Sequence, residues 1–140
     1  MNGRNSPEFH DLFEGRAFAQ FASVLPDGTP HVVPMWVEYE DGFLYVNTVT
    51  GNRKHRNVER DPHVSIAISD PENPYRYLHI RGEVVEMRED VDREHLNKLA
   101  ERYTGVRKYP RDASNEPGRT ILKIRPDAVM GRAPPTRQRR

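Results

Sequence analysis

The chain has 140 residues, enough for one ordinary domain with its own core, and no cysteine, which excludes disulfides and thiolate metal sites. Its 22 basic residues against 21 acidic ones leave a net charge of +1, so no global field draws it to nucleic acid or to an anionic membrane. With 35% hydrophobic residues, 31% charged and a mean hydropathy of −0.89, it is short of core, and a partner chain or a flat ligand is expected to complete its apolar surface.

Ser6-Pro7-Glu8 reads as a helix start, with the helix ending near Gly15 and Phe9, Leu12 and Phe13 on its buried side. Residues 17–24 alternate as a strand, and Pro26-Asp27-Gly28 is a turn. His31 to Tyr39 reads as a second strand, and Asp41-Gly42 as a hairpin turn into a third from Phe43 to Asn47. Residues 52–60 suit a helix, with Gly51 before it and Asp61-Pro62 as its stop. Val64 to Ile68 and Tyr77 to Met87 read as strands. Asp90 caps a predicted helix to about Tyr103, with Leu96, Leu99, Ala100 and Tyr103 on one face. Residues 104–118 read as a mobile loop, Arg119 to Ile124 as a last strand, and residues 132–140 as a disordered Pro- and Arg-rich tail after a single domain spanning 1–131. Six short strands joined mostly by hairpins suggest an antiparallel barrel with marginal helices, a sandwich being the alternative.

No apolar run approaches a membrane-spanning length, and the first residues lack the apolar core of a signal peptide, so a cytoplasmic protein with no membrane contact is expected. The most chemically loaded segment is NTVTGNRKHRNVERDP, residues 47–62, which holds Arg53, Lys54, His55, Arg56 and Arg60. It lacks the aromatics of a nucleic-acid surface and carries Glu59 and Asp61, so nucleic acid is not the expected partner. A solvated helix face is one reading. The other is an anion cradle: Thr48, Thr50 and Gly51 lead off a strand into a helix N-terminus, where Arg53 offers a planar fork and Lys54 a point charge. Local chemistry favours the cradle and does not name the anion.

In HVVPMWVEYEDG, Pro34 within a strand implies an edge, a bulge or a gap. The single Trp, Trp36, fits either a core position or the wall of a flat ligand. His31, His55, His63, His79 and His95 fall at no metal-ligand spacing, and no metal site is expected. No nucleophile elbow exists, so any reactive group is expected to come from a cofactor.

Three ordered stretches, DGTPHVVPMWVEYEDGFLYVNT, GNRKHRNVERDPHVSIAISD and NPYRYLHIRGEVVE, resemble the pyridoxamine-phosphate-oxidase-like split β-barrel superfamily over about residues 17–126. Within it they are most similar to the deazaflavin (coenzyme F420)-dependent oxidoreductase branch. The resemblance implies a homodimer of six-stranded antiparallel split barrels with cofactor sites at the interface. It implies that Val33, Pro34, Met35 and Trp36 lie along the tricyclic ring, and that Asn47 and Thr48 approach the ring or ribityl chain. Arg53 and Lys54 would hold the phosphate, Asn57 would support that corner, and Tyr77 would reach a cofactor across the interface. The C-terminal Trp and Arg elements of true pyridoxamine phosphate oxidases are missing, so pyridoxal phosphate synthesis is not expected. The implied function is hydride transfer between F420 and a small conjugated or quinone-like acceptor, with no catalytic side chain named. FMN in the same fold, or a non-catalytic flavin or deazaflavin binder, are the alternatives.

Overall fold

A computed structural model of the chain, described over residues 7–109 and 117–133, is one antiparallel sheet with two flanking α-helices. The strands are β1 (Ala19–Val24), β2 (Pro30–Met35), β3 (Glu38–Glu40), β4 (Phe43–Val49), β5 (His63–Asp70), β6 (Asn73–Glu89) and β7 (Arg119–Arg132), and the helices α1 (Arg53–Arg60) and α2 (Glu94–Thr104). The sheet order is β2-β1-β5-β6-β7-β4-β3. The expected mostly-β, antiparallel class is present, with seven strands in place of six.

The extra strand arises because the predicted run from His31 to Tyr39 breaks at Trp36 and Val37. The Val37 N–H donates to the Tyr103 hydroxyl at 3.1 Å, and its carbonyl accepts from Arg102, so Val37 has nothing left for a strand ladder. The same hydroxyl accepts from Arg102 Nη2 at 2.7 Å and donates to the Ala17 carbonyl at 2.8 Å. On one side of the break β2 pairs with β1; on the other β3 pairs with β4, at the opposite edge of the sheet. Only two residues join these edges, so the sheet must curl until they nearly meet. Pro34 lies on edge strand β2 opposite Gln20, where a missing N–H costs no central ladder bond.

Alternation along the strands fills the interior with Phe21, Leu44, Val46, Ile66, Ile68, Leu78, Ile80, Leu122 and Ile124, all essentially inaccessible to solvent. The first segment closes one end with buried Phe9, Leu12 and Phe13, as a 3-10 helix over Pro7–Phe13 in place of the expected helix to Gly15. β7 also runs past its predicted end at Ile124. Pro126 would normally stop a central strand, but it lies opposite Gly82 at a register shift in β6. A side chain at position 82 would place its Cβ 2.4 Å from the Arg125 carbonyl oxygen, so only glycine permits that approach. Ser6, residues 110–116 of the predicted loop and residues 134–140 of the predicted tail lie outside the described residues.

Asp90 serves the start of α2, its carboxylate accepting the N–H groups of His95 and Leu96 at 2.9 Å each. The helix buries Leu96, Leu99, Ala100 and Tyr103, the face read from the sequence. No helix among the described residues is long and apolar enough to cross a membrane.

Replacing Tyr103 by Phe keeps the ring but strands the buried Val37 N–H and Ala17 carbonyl. The expected loss is about 1–3 kcal/mol in urea unfolding, seen as a lower midpoint at unchanged slope.

Candidate functional site

Where the two sheet edges approach each other there is a cavity of about 190 Å³. Its apolar side is built by Phe18 before β1, by Pro34, Met35 and Trp36 at the end of β2, and by Leu96 and Leu99 of α2. Its polar side is Asn47 of β4, Lys54 of α1 and Arg119 of β7, and Tyr109 completes the lining. Trp36 lies outside the buried core, partly exposed at the border of the cavity. One ring face stacks on Tyr103 at 5.3 Å and 10°, Tyr109 meets it edge-on at 6.2 Å, and the rest of the side chain borders the cavity.

The strand-to-helix junction is capped by a residue that the sequence reading did not single out. Asn52 Oδ1 accepts from the His55 N–H at 3.0 Å and from the Thr48 hydroxyl at 3.1 Å. Gly51 precedes it at φ +84, in the left-handed region. Arg53 and Lys54 occupy the first two helical positions, whose N–H groups have no partner within the helix. Lys54 is half-buried and makes no ion pair among the described residues. Burial pushes its ammonium below the ordinary lysine range, and the Arg119 guanidinium pushes it the same way. Two cations thus bear on one partly dehydrated cavity, which suits an anion.

Behind Arg119 runs a hydrogen-bonded chain. Arg119 Nε donates to Asn47 Oδ1 at 2.9 Å, and Asn47 Nδ2 donates to Asp90 Oδ2 at 2.9 Å and to His95 Nδ1 at 3.0 Å. His95 Nε2 meets Glu38 Oε1 at 3.1 Å, and Lys98 holds the other Glu38 oxygen at 2.5 Å. The hydrogen bond from His95, reinforced by Lys98, brings the Glu38 carboxyl down to about 2 against the opposing effect of its burial.

Of the residues implicated by sequence, Pro34, Met35, Trp36, Asn47 and Lys54 come together on this cavity, and the others do not. The Val33 side chain packs on the core. Thr48 is buried and bound to Asn52, and Arg53 is exposed away from the lining. Asn57 is wholly buried, its Nδ2 donating to Ser23 Oγ at 3.0 Å, and it supports the packing of α1 on β1 with no access to the cavity. Tyr77 lies on the outer face of the sheet, paired with Ser69 and Arg132. His79 is on that face too, its Nε2 3.0 Å from Ser65 Oγ. Phe18, Tyr109 and Arg119 were missed. Arg119 carries no local mark that separates it from the many other arginines, and its partner Asn47 is 72 residues away.

The family model for pyridoxamine 5'-phosphate oxidase matches residues 6–132, nearly the whole chain. The chain belongs to the pyridoxamine 5'-phosphate oxidase family. A solved structure named F420 reductase is 34% identical, with a TM-score of 0.80 over 89% of this chain and 98% of that one. General stress protein 26 of Bacillus anthracis (21% identical, TM-score 0.66, covering 89% of this chain and 91% of that one) shares the fold. So does HutZ, the heme storage protein of Vibrio cholerae (19%, TM-score 0.65, 92% and 95%). The search of curated proteins finds no match. The fold of this family binds flavins, and the cavity lining combines apolar residues with the cations Lys54 and Arg119.

Glu38 also makes the site's support sensitive to acid. Its folded-state pKa of about 2 lies below the ordinary 4.5, so its contribution to stability is complete above pH 4.5 and is lost as pH falls toward 2. Thermal melts between pH 5 and pH 2 are expected to decline more steeply for the wild type than for Glu38→Gln, which has no proton to take up.

Proposed function

We propose that this protein is a coenzyme F420-dependent oxidoreductase, passing a hydride between the deazaflavin and a small conjugated or quinone-like acceptor. The observation that carries the proposal is the convergence of Lys54 and Arg119 on a cavity that Trp36 also lines. The 34% identity to the F420 reductase supports F420 over other flat, anionic groups. When bound, the deazaflavin supplies the hydride from its C5 carbon. The chain's part is to bind, orient and dehydrate. Lys54 and Arg119 hold the phosphate, helped by the free N–H groups at the start of α1. Pro34, Met35 and Trp36 flank the ring. β2 is an edge strand, so half of its backbone groups, including those near Val33, face away from β1 and can meet the polar rim of the ring.

A homodimer completes this reading. A cavity of 190 Å³ is below the roughly 300–1,000 Å³ of sites that enclose a whole drug-sized ligand, so one chain supplies only part of the site. The outer face of the sheet suits a second copy. In register across it run Pro34, Gln20, Ala67, His79 and Met130, and then Val32, Ala22, Ser65, Arg81 and Ala128. The small side chains of Ala22, Ser65 and Ala67 keep its centre flat, while Val32 and Met130 are 60% and 53% exposed. This face starts at the cavity with Pro34 and also carries Tyr77, which the proposed pairing would bury between the two copies.

Purified from a host that lacks F420, the protein is expected to be colourless and to quench F420 fluorescence at micromolar concentration. A yellow protein with bound FMN, or no F420 binding, would overturn the cofactor assignment. Lys54→Ala is expected to weaken F420 binding by about 1–3 kcal/mol through loss of a charge-assisted contact, and unchanged affinity would return the segment to a solvated helix face. Single-turnover oxidation of bound reduced F420 by enones or quinones separates an enzyme from a carrier, which would show no acceptor-dependent turnover. Ala67→Arg is expected to give a monomer in sedimentation.

A further inference from the structure

We infer that Asn47 is a positioning residue: it binds no ligand itself but aims Arg119 into the cavity. This rests on reading the cavity as an anion site. The hydrogen-bonding capacity of the Asn47 amide is nearly all spent inside the protein. Its two N–H groups go to Asp90 Oδ2 at 2.9 Å and His95 Nδ1 at 3.0 Å, and its oxygen accepts from Arg119 Nε at 2.9 Å. The residue is 6% exposed.

The partners leave the amide one orientation. Asp90 already accepts from the His95 and Leu96 backbone N–H groups and faces Asn47 as an acceptor. With its Nε2–H donating to the Glu38 carboxylate, which can only accept, His95 presents Nδ1 to Asn47 as an acceptor. A flipped amide would set its oxygen against the Asp90 carboxylate and its N–H groups against the Arg119 N–H. With two acceptors on one side, the Asn47 oxygen must face Arg119.

Holding Nε fixes the plane of the guanidinium, because Nε and both terminal nitrogens are coplanar. The remaining N–H donors then point in set directions, and Arg119 also lies over the Tyr109 ring at 5.6 Å. Its backbone is tied to the same unit, the Asp90 N–H donating to the Arg119 carbonyl at 2.9 Å. Arg119 is thereby preorganised, and little side-chain entropy is left to lose when an anion arrives. Lys54 serves as the point charge and Arg119 as the aimed fork.

The test uses inorganic phosphate as the probe and Trp36 as the reporter, since it is the chain's single tryptophan and borders the cavity. Arg119→Ala and Asn47→Ala are each expected to weaken phosphate binding by about tenfold to a hundredfold, the scale of one charge-assisted hydrogen bond. The double variant is expected to match Arg119→Ala alone, because Asn47 acts only through Arg119. Effects that multiply in the double variant, or an Asn47→Ala variant with wild-type affinity, would overturn the positioning role while leaving the anion site standing. If Lys54→Ala and Arg119→Ala both bind phosphate like the wild type, the anion site itself fails and the positioning role with it. Arg119→Lys decides independently should Asn47→Ala not fold. It keeps the charge but lacks the Nε–H that Asn47 holds, so it is expected to bind nearly as weakly as Arg119→Ala, and wild-type affinity would overturn the inference.

Discussion

Two residues carry the chain from one edge of the sheet to the other, and the Tyr103 hydroxyl is what holds them. By taking the Val37 N–H out of any ladder, it ends β2, starts β3 on the far edge and pins α2 across the gap. The Ala17 carbonyl joins the same hydroxyl, so the approach to β1 is fixed by the same atom. Trp36, beside these anchors, lies flat on the Tyr103 ring and borders the cavity. The break in the sheet therefore lies beside the cavity, and both backbone groups of Val37 there are held by side chains of α2.

Around the split the protein accepts an electrostatic cost. Lys54 loses water and faces the like charge of Arg119, whereas a lysine on the exposed face of α1 would be solvated. Such an arrangement makes sense where an anion restores the balance, and function is the usual reason for a locally unfavourable environment. The polar chain that runs from Arg119 through Asn47 to Asp90, His95 and Glu38 is well satisfied, so the cost is confined to the cavity.

Much of the fold was legible because it is written in short-range terms. Alternating apolar residues mark the strands, and Asp41 and Gly42, both at positive φ, turn the hairpin as their types suggest. Pro34 implied an edge, a bulge or a gap, and it lies on edge strand β2. The break at Val37 was not legible, because its cause is a tyrosine 66 residues away. The site was half legible for a similar reason. Arg53 and Lys54 look like a pair in sequence, yet neighbours on a helix point about 100° apart, so a cavity facing one does not face the other. Arg119 lines the cavity beside Lys54, and the pairing of β4 with β7 brings it there.

A crystal structure with coenzyme F420 bound tests the central claim most directly. The expected density has the phosphate within hydrogen-bonding distance of Lys54 Nζ and the Arg119 guanidinium, with the deazaflavin ring along β2 beside Trp36. Density placing the phosphate on Arg53 or Arg56 at the helix surface, or the ring on another part of the sheet, would contradict it.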